Sequence, residues 1–100
     1  MAGQIIRRPL FVEDVRSAWA YITEENSAAA DASVRELEKR YQILAVNPLL
    51  GVQRFPKYPN LRMFPFRQYI IIYDPLANGS GVELIRFLHA ARDYHRFFDD

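Results

Sequence analysis

There is no cysteine among the 100 residues, which excludes a disulfide framework, a thiolate nucleophile and a cysteine-built zinc site. No apolar run approaches the roughly 18 residues that mark a membrane-spanning helix, so no bilayer span is expected. The opening MAGQIIRRPL lacks the basic-then-apolar layout of a secretory signal, and the expected location is the cytoplasm. Histidine is scarce, at His89 and His95 alone. These two lie near Asp93, but a metal centre needs further ligands and a closed outer shell that no other histidine supplies. No metal or other cofactor is therefore expected. Gly79-Ser80-Gly81 lacks the following helix and the Gly-Lys-Ser/Thr ending of a phosphate loop. No serine sits in a nucleophile elbow.

What is present is ordinary for a globular chain: 50% hydrophobic and 25% charged residues, enough for one modest core and one domain over residues 1–100. The net charge of +1 hides an uneven distribution. Residues 9–47 hold seven acids and four bases, whereas residues 48–98 hold seven bases and three acids. From Gly51 to Tyr73 there are Arg54, Lys57, Arg62 and Arg67 and no acid. That segment is expected to present a positive potential, either as solvated arginines around a sheet or as an anion-seeking surface.

Gln4–Arg8 reads as a short strand closed by Pro9, whose fixed φ suits a helix entry. Apolar residues at Phe11, Val15, Ala18, Trp19 and Ile22 then form a helical stripe over about Phe11–Glu24, with Asp14 off it. Asn26 or Ser27 can cap a second helix over Ser27–Val46, buried through Ala30, Val34, Leu37, Tyr41 and Leu44. Asn47-Pro48 stops it. The two helices are expected to pack as an antiparallel hairpin, with Trp19 and Tyr41 in the core. Residues 47–60 are irregular. Strands are predicted at about Leu61–Phe64, Arg67–Asp74 and Val82–His89, with a bend or bulge at Pro65 and a tight turn at Asn78-Gly79-Ser80-Gly81. Residues 90–98 are expected to close the chain as a short turn or helix. The order is β-α-α-β-β-β, an α+β fold with a helical hairpin on a mostly antiparallel twisted sheet.

Chemistry on a phosphodiester would need a base, an acid and cations for the developing charge. Arg54, Arg62, Arg67 and Arg86 offer cations, and His89 or Tyr94 an acid. Glu83 stands about 20 Å from His89 along one strand, so the two cannot share a site. Arg86 alternates with Ile85 and Phe87, placing it on a face with Leu84 and Leu88. Its guanidinium must find a carboxylate or carbonyls, or reach the open face of the sheet.

The motifs also carry a family resemblance. Pro9-Leu10-Phe11-Val12-Glu13-Asp14-Val15 opens a helix with Trp19-Ala20-Tyr21-Ile22, and the next helix ends in Leu44-Ala45-Val46-Asn47-Pro48, soon followed by Gly51. Leu61-Arg62, Tyr69-Ile70-Ile71-Ile72-Tyr73 and Ile85-Arg86-Phe87-Leu88-His89 follow in order. Together they resemble toxins of the ParE/RelE superfamily of type II toxin–antitoxin systems. The ending His89-Ala90-Ala91-Arg92-Asp93 is closest to the ParE branch.

The resemblance implies a RelE/ParE-like fold and a toxin that binds and poisons DNA gyrase without catalysis. It implies a cognate antitoxin of the ParD-like, ribbon-helix-helix type, and no direct sequence-specific DNA binding by the toxin alone. The RelE branch offers an alternative, a metal-independent, ribosome-dependent mRNA endoribonuclease, for which Arg62, Arg86, His89 and Tyr94 are the candidate residues. Lysine-rich versions of that site are poorly matched by a chain with only Lys39 and Lys57. A hydrophobic groove for the antitoxin is expected where the helical hairpin meets the sheet. Arg62, Arg67, Arg86 and His89 are the candidate target-binding residues on an open basic face, and Arg92 with Asp93 a structural pair.

Overall fold

A computed structural model describes residues 3–93. Strand β1 (Gln4–Arg7) leads through Arg8 into helix α1 (Pro9–Glu25), with proline in the first turn, where its missing N–H costs nothing. Helix α2 is Ser27–Val46. A single residue joins them. Asn26 donates its N–H to Ile22 at 2.9 Å as the end of α1, while its side-chain oxygen accepts the Ala29 N–H at 3.1 Å as the start of α2. Three strands follow: β2 (Arg62–Phe66), β3 (Tyr69–Pro75) and β4 (Gly81–His89). No helix among the described residues is long and apolar enough to cross a membrane.

The sheet is ordered β1-β4-β3-β2, with β1 parallel to β4 and the other pairs antiparallel. This is the α+β arrangement read from the sequence, in the order β-α-α-β-β-β. At Gly81 any side chain would strike the backbone of Gln4, 2.0 Å from an added Cβ. Glycine there lets β1 start alongside β4.

Both faces of the sheet are covered. On the helical face Phe11, Leu37, Tyr41 and Leu44 pack against Ile71, Tyr73, Leu84 and Phe87. Phe87 is the hub, stacked on Tyr69 with centroids 4.8 Å apart and meeting Phe11 edge-on at 5.9 Å. On the other face Phe55, from the irregular segment before β2, joins Ile70, Ile72 and Leu88. The second face is therefore not the open basic surface expected from the arginine count.

Three local readings need correction. Pro65 makes no bulge: it sits within β2, paired with Ile70. Met63 exchanges both its backbone bonds with Val52 on the outer edge, so the alternate residue Pro65 points its missing N–H to that same unpaired side. The bulge lies in β4 instead, where Tyr73 pairs with Leu84 and Ile72 with Arg86, leaving Ile85 over. Consequently Leu84 and Leu88 pack on opposite faces, and Arg86, paired with Ile72, shares its face with Leu88 but not with Leu84. Arg67, placed at the start of a strand by sequence, occupies the β2–β3 turn with φ 56°.

Candidate functional site

An apolar groove of about 370 Å³ runs between α1 and α2. Its walls are Phe11, Val15 and Trp19 from α1 and Val34, Leu37 and Tyr41 from α2, with Arg7, Arg16 and Glu38 also lining it. The groove is lined by apolar stripe residues of both helices, which face it rather than closing over one another. Val34, expected to be buried, is only partly so for this reason. Arg7 lies over the Tyr41 ring, 5.4 Å from its centroid. Burial pushes the Tyr41 hydroxyl well above the usual phenol range, against the nearby Arg7 charge. Among the described residues, Trp19 Nε1 is buried and meets no hydrogen-bond acceptor.

The four candidate target-binding residues do not form one surface. Arg62 donates through Nη1 to the carbonyls of Leu49 at 3.1 Å and Gly51 at 2.7 Å. Its strand position pairs with Tyr73, whereas His89 pairs with Tyr69, about 13 Å away at the rise of a strand. Arg67 reaches across to α2 and bonds Glu36 at 2.6 Å. That hydrogen bond holds the Glu36 carboxyl below its usual range. Arg86 forms a forked pair with Asp14 on α1, Nε to Oδ2 at 2.6 Å and Nη2 to Oδ1 at 3.0 Å. The Asp14 bond in turn raises the Arg86 pKa. Arg86 therefore stands off any open face, and Asp14, read as lying off the apolar stripe of α1, is its partner.

Arg67 and His89 do share a cleft of about 330 Å³ with Tyr21, Ser33, Tyr69 and Arg92. His89 meets the Tyr69 ring edge-on at 5.3 Å, and its Nδ1 accepts the Arg92 N–H at 3.1 Å. Arg92 pairs with Asp93 at 3.2 Å, and Asp93 accepts the His89 N–H at 3.3 Å. Burial works to raise the Asp93 carboxyl, but the bonds from Arg92 and His89 outweigh it and hold the group below its usual range. Tyr94 and His95 lie outside the described residues. Among those described, no three His, Asp or Glu side chains converge as a metal site would require.

The chain is thus a small α+β domain whose helical hairpin bears an apolar groove. The family model described as the ParE toxin of type II toxin-antitoxin system, parDE, matches residues 5–94. The chain belongs to this family of toxins, and the family implies a cognate antitoxin as partner. No curated protein matches the chain.

Proposed function

We propose that this toxin acts in the cytoplasm by binding and poisoning DNA gyrase. Its neutraliser is a ParD-like antitoxin with a ribbon-helix-helix fold, whose amphipathic segment lies in the groove between α1 and α2. The groove carries this reading. It offers the apolar walls that an i, i+3, i+4 stripe would fill and charges of both signs along its lining. A wrap that continued beyond the groove would bury more than the standard interface of about 1,600 Å².

The placement of the arginines supports binding over mRNA cleavage. An endoribonuclease needs its cations and its acid around one phosphate. Arg62 is held by loop carbonyls, Arg86 by Asp14, and His89 faces the helical side near Arg67. Inducing the toxin without its antitoxin tests the reading directly. DNA breaks are expected before any loss of mRNA integrity, and a co-expressed cognate antitoxin is expected to co-purify and to rescue growth. Codon-specific cuts on purified ribosomes, lost in His89→Ala or Tyr94→Phe, would replace gyrase with the ribosome as target.

A further inference from the structure

The segment after α2 holds its leucines in water. Leu49 is 69% exposed, Leu50 49% and the neighbouring Val46 59%. A loop with such side chains would ordinarily fold them inward or remain mobile, yet here nearly every backbone group is pinned. The buried Tyr73 hydroxyl donates to the Pro48 carbonyl at 2.7 Å and accepts the Gly51 N–H at 2.7 Å. Arg62 holds the carbonyls of Leu49 and Gly51, Leu50 N–H bonds Asn47 at 3.0 Å, and Val52 is bridged to Met63 in both directions. Gly51 has no room for a side chain, since an added Cβ would lie 2.6 Å from the Tyr73 hydroxyl. A fully buried tyrosine and a half-buried arginine are thus spent on presenting an apolar knob.

We propose that Leu49 and Leu50, flanked by Val46 and Val52, are the contact through which this toxin grips its target, and that the target offers a preformed apolar pocket edged by carboxylates. Shape separates this surface from the groove. A flexible antitoxin segment can order itself inside a concavity, whereas apolar side chains held out in water on a hydrogen-bonded loop call for a folded partner already hollowed to receive them. Charge gives the pocket its rim. Arg54 lines a cleft that meets the one lined by Leu49 at Gln53, in a stretch Gly51–Tyr73 that contains no acid, so carboxylates on the partner are attracted to that flank. Asp74 shares a cleft with Leu49 and Arg62 on the other, and the complementary flank is the one carrying Arg54. The knob has no residue in common with the groove lining. Pinning in advance also removes the ordering cost that a mobile loop would bring to binding.

The proposal rests on the gyrase reading, and the test keeps the two apart. Purified toxin and purified gyrase are compared for binding and for stabilised DNA cleavage, with wild type, the double variant Leu49→Asp/Leu50→Asp, and Arg54→Glu. The double variant should bind gyrase at least about 30-fold more weakly, mainly through faster dissociation, as for a central hot spot. Its melting temperature and antitoxin binding should match wild type. Arg54→Glu should slow association and flatten its salt dependence. If the double variant is misfolded by circular dichroism, the single variants Leu49→Ser and Leu50→Ser decide the matter by the same comparison. Wild-type poisoning by folded knob variants overturns the proposal, as does a parallel loss of antitoxin binding, which would assign the knob to the antitoxin. Wild-type toxin that leaves gyrase untouched overturns the gyrase reading itself, and this assignment with it.

Discussion

Asp14 and Arg86, 72 positions apart, pair beside the stretch of β4 that β1 does not reach. Strand β1 pairs with β4 only as far as Leu84, and Arg8 then turns the chain into α1. Beyond that point β4 has no neighbour on the β1 side among the described residues. The Phe87 N–H that would be orphaned there donates to Asp14 Oδ2 at 3.0 Å, beside the two bonds from the Arg86 guanidinium. One carboxylate thus binds α1 to the strand, neutralises an arginine in an apolar neighbourhood and caps a sheet edge.

Removing Asp14 should therefore cost more than an average surface change. Asp14→Ala takes the forked pair from a half-buried guanidinium and the acceptor from the part-buried Phe87 N–H, and a loss of about 3 kcal/mol is expected. Arg86→Ala should cost less, because Asp14 keeps the Phe87 amide. A double-mutant cycle in urea should give a coupling of about 1 kcal/mol or more. Additive single effects would mean the pair contributes nothing as a pair.

Much of this architecture was legible, and the misses have physical causes. Helix α2 runs over the residues predicted, because Asn26 and Asn47-Pro48 punctuate it with local chemistry that needs no tertiary partner. The apolar run of β3 likewise announces burial on both faces. The Ile85 bulge leaves no local mark, and it shifts every later side chain of β4 relative to a period-two reading. Arg86 was seen to need a carboxylate, a carbonyl or an open face, but choosing Asp14 required knowing where α1 crosses the strand. Phe55 sits in a segment without periodicity, so its covering of the second sheet face could not be read. The groove was foreseen in kind, at the junction of hairpin and sheet, and stands instead between the helices.

Groove and knob make opposite predictions for the two partners. Val12 lines the groove and is 39% exposed, so Val12→Glu should leave folding intact. A charge driven against apolar walls should weaken antitoxin binding about 100-fold or more. Growth inhibition by the toxin alone should persist. Isothermal titration with the antitoxin checks the first statement and a plating assay the second; unchanged affinity would move the antitoxin elsewhere.

Acid should affect two carboxylates with opposite sign. The Asp93 pKa is depressed, so its stabilisation is present above the unfolded value of about 3.9 and lost as the pH falls through the folded one. Wild type should exceed Asp93→Asn in melting temperature at pH 6, and the gap should close towards pH 2. Asp74 is raised by burial and by the adjacent Glu83 against the pull of Arg8. Its ionisation therefore disfavours folding as the pH rises above the unfolded value. Asp74→Asn should be more stable than wild type at pH 7 and lose that advantage in acid. A thermal series from pH 2 to 7 reads both, and parallel curves would contradict them.

Tyr73 provides the sharpest test of how the loop after α2 is held. Its ring belongs to the buried core, but its hydroxyl serves only the loop, bridging the Pro48 carbonyl and the Gly51 N–H. Tyr73→Phe keeps the ring and deletes the bridge, leaving a buried donor and a buried acceptor with no replacement in reach. A loss of about 2 kcal/mol is expected, above that of a typical single hydrogen bond. The loss should be local in its effects. Amide exchange at Leu50 and Gly51 should accelerate far more than in β3 or β4, because the loop can open while the sheet stays paired. Gly51→Ala should produce the same pattern from the other side, since the new methyl must displace the Tyr73 hydroxyl. If exchange instead accelerates evenly across the sheet, the hydroxyl supports the core as a whole and the loop has no separate latch.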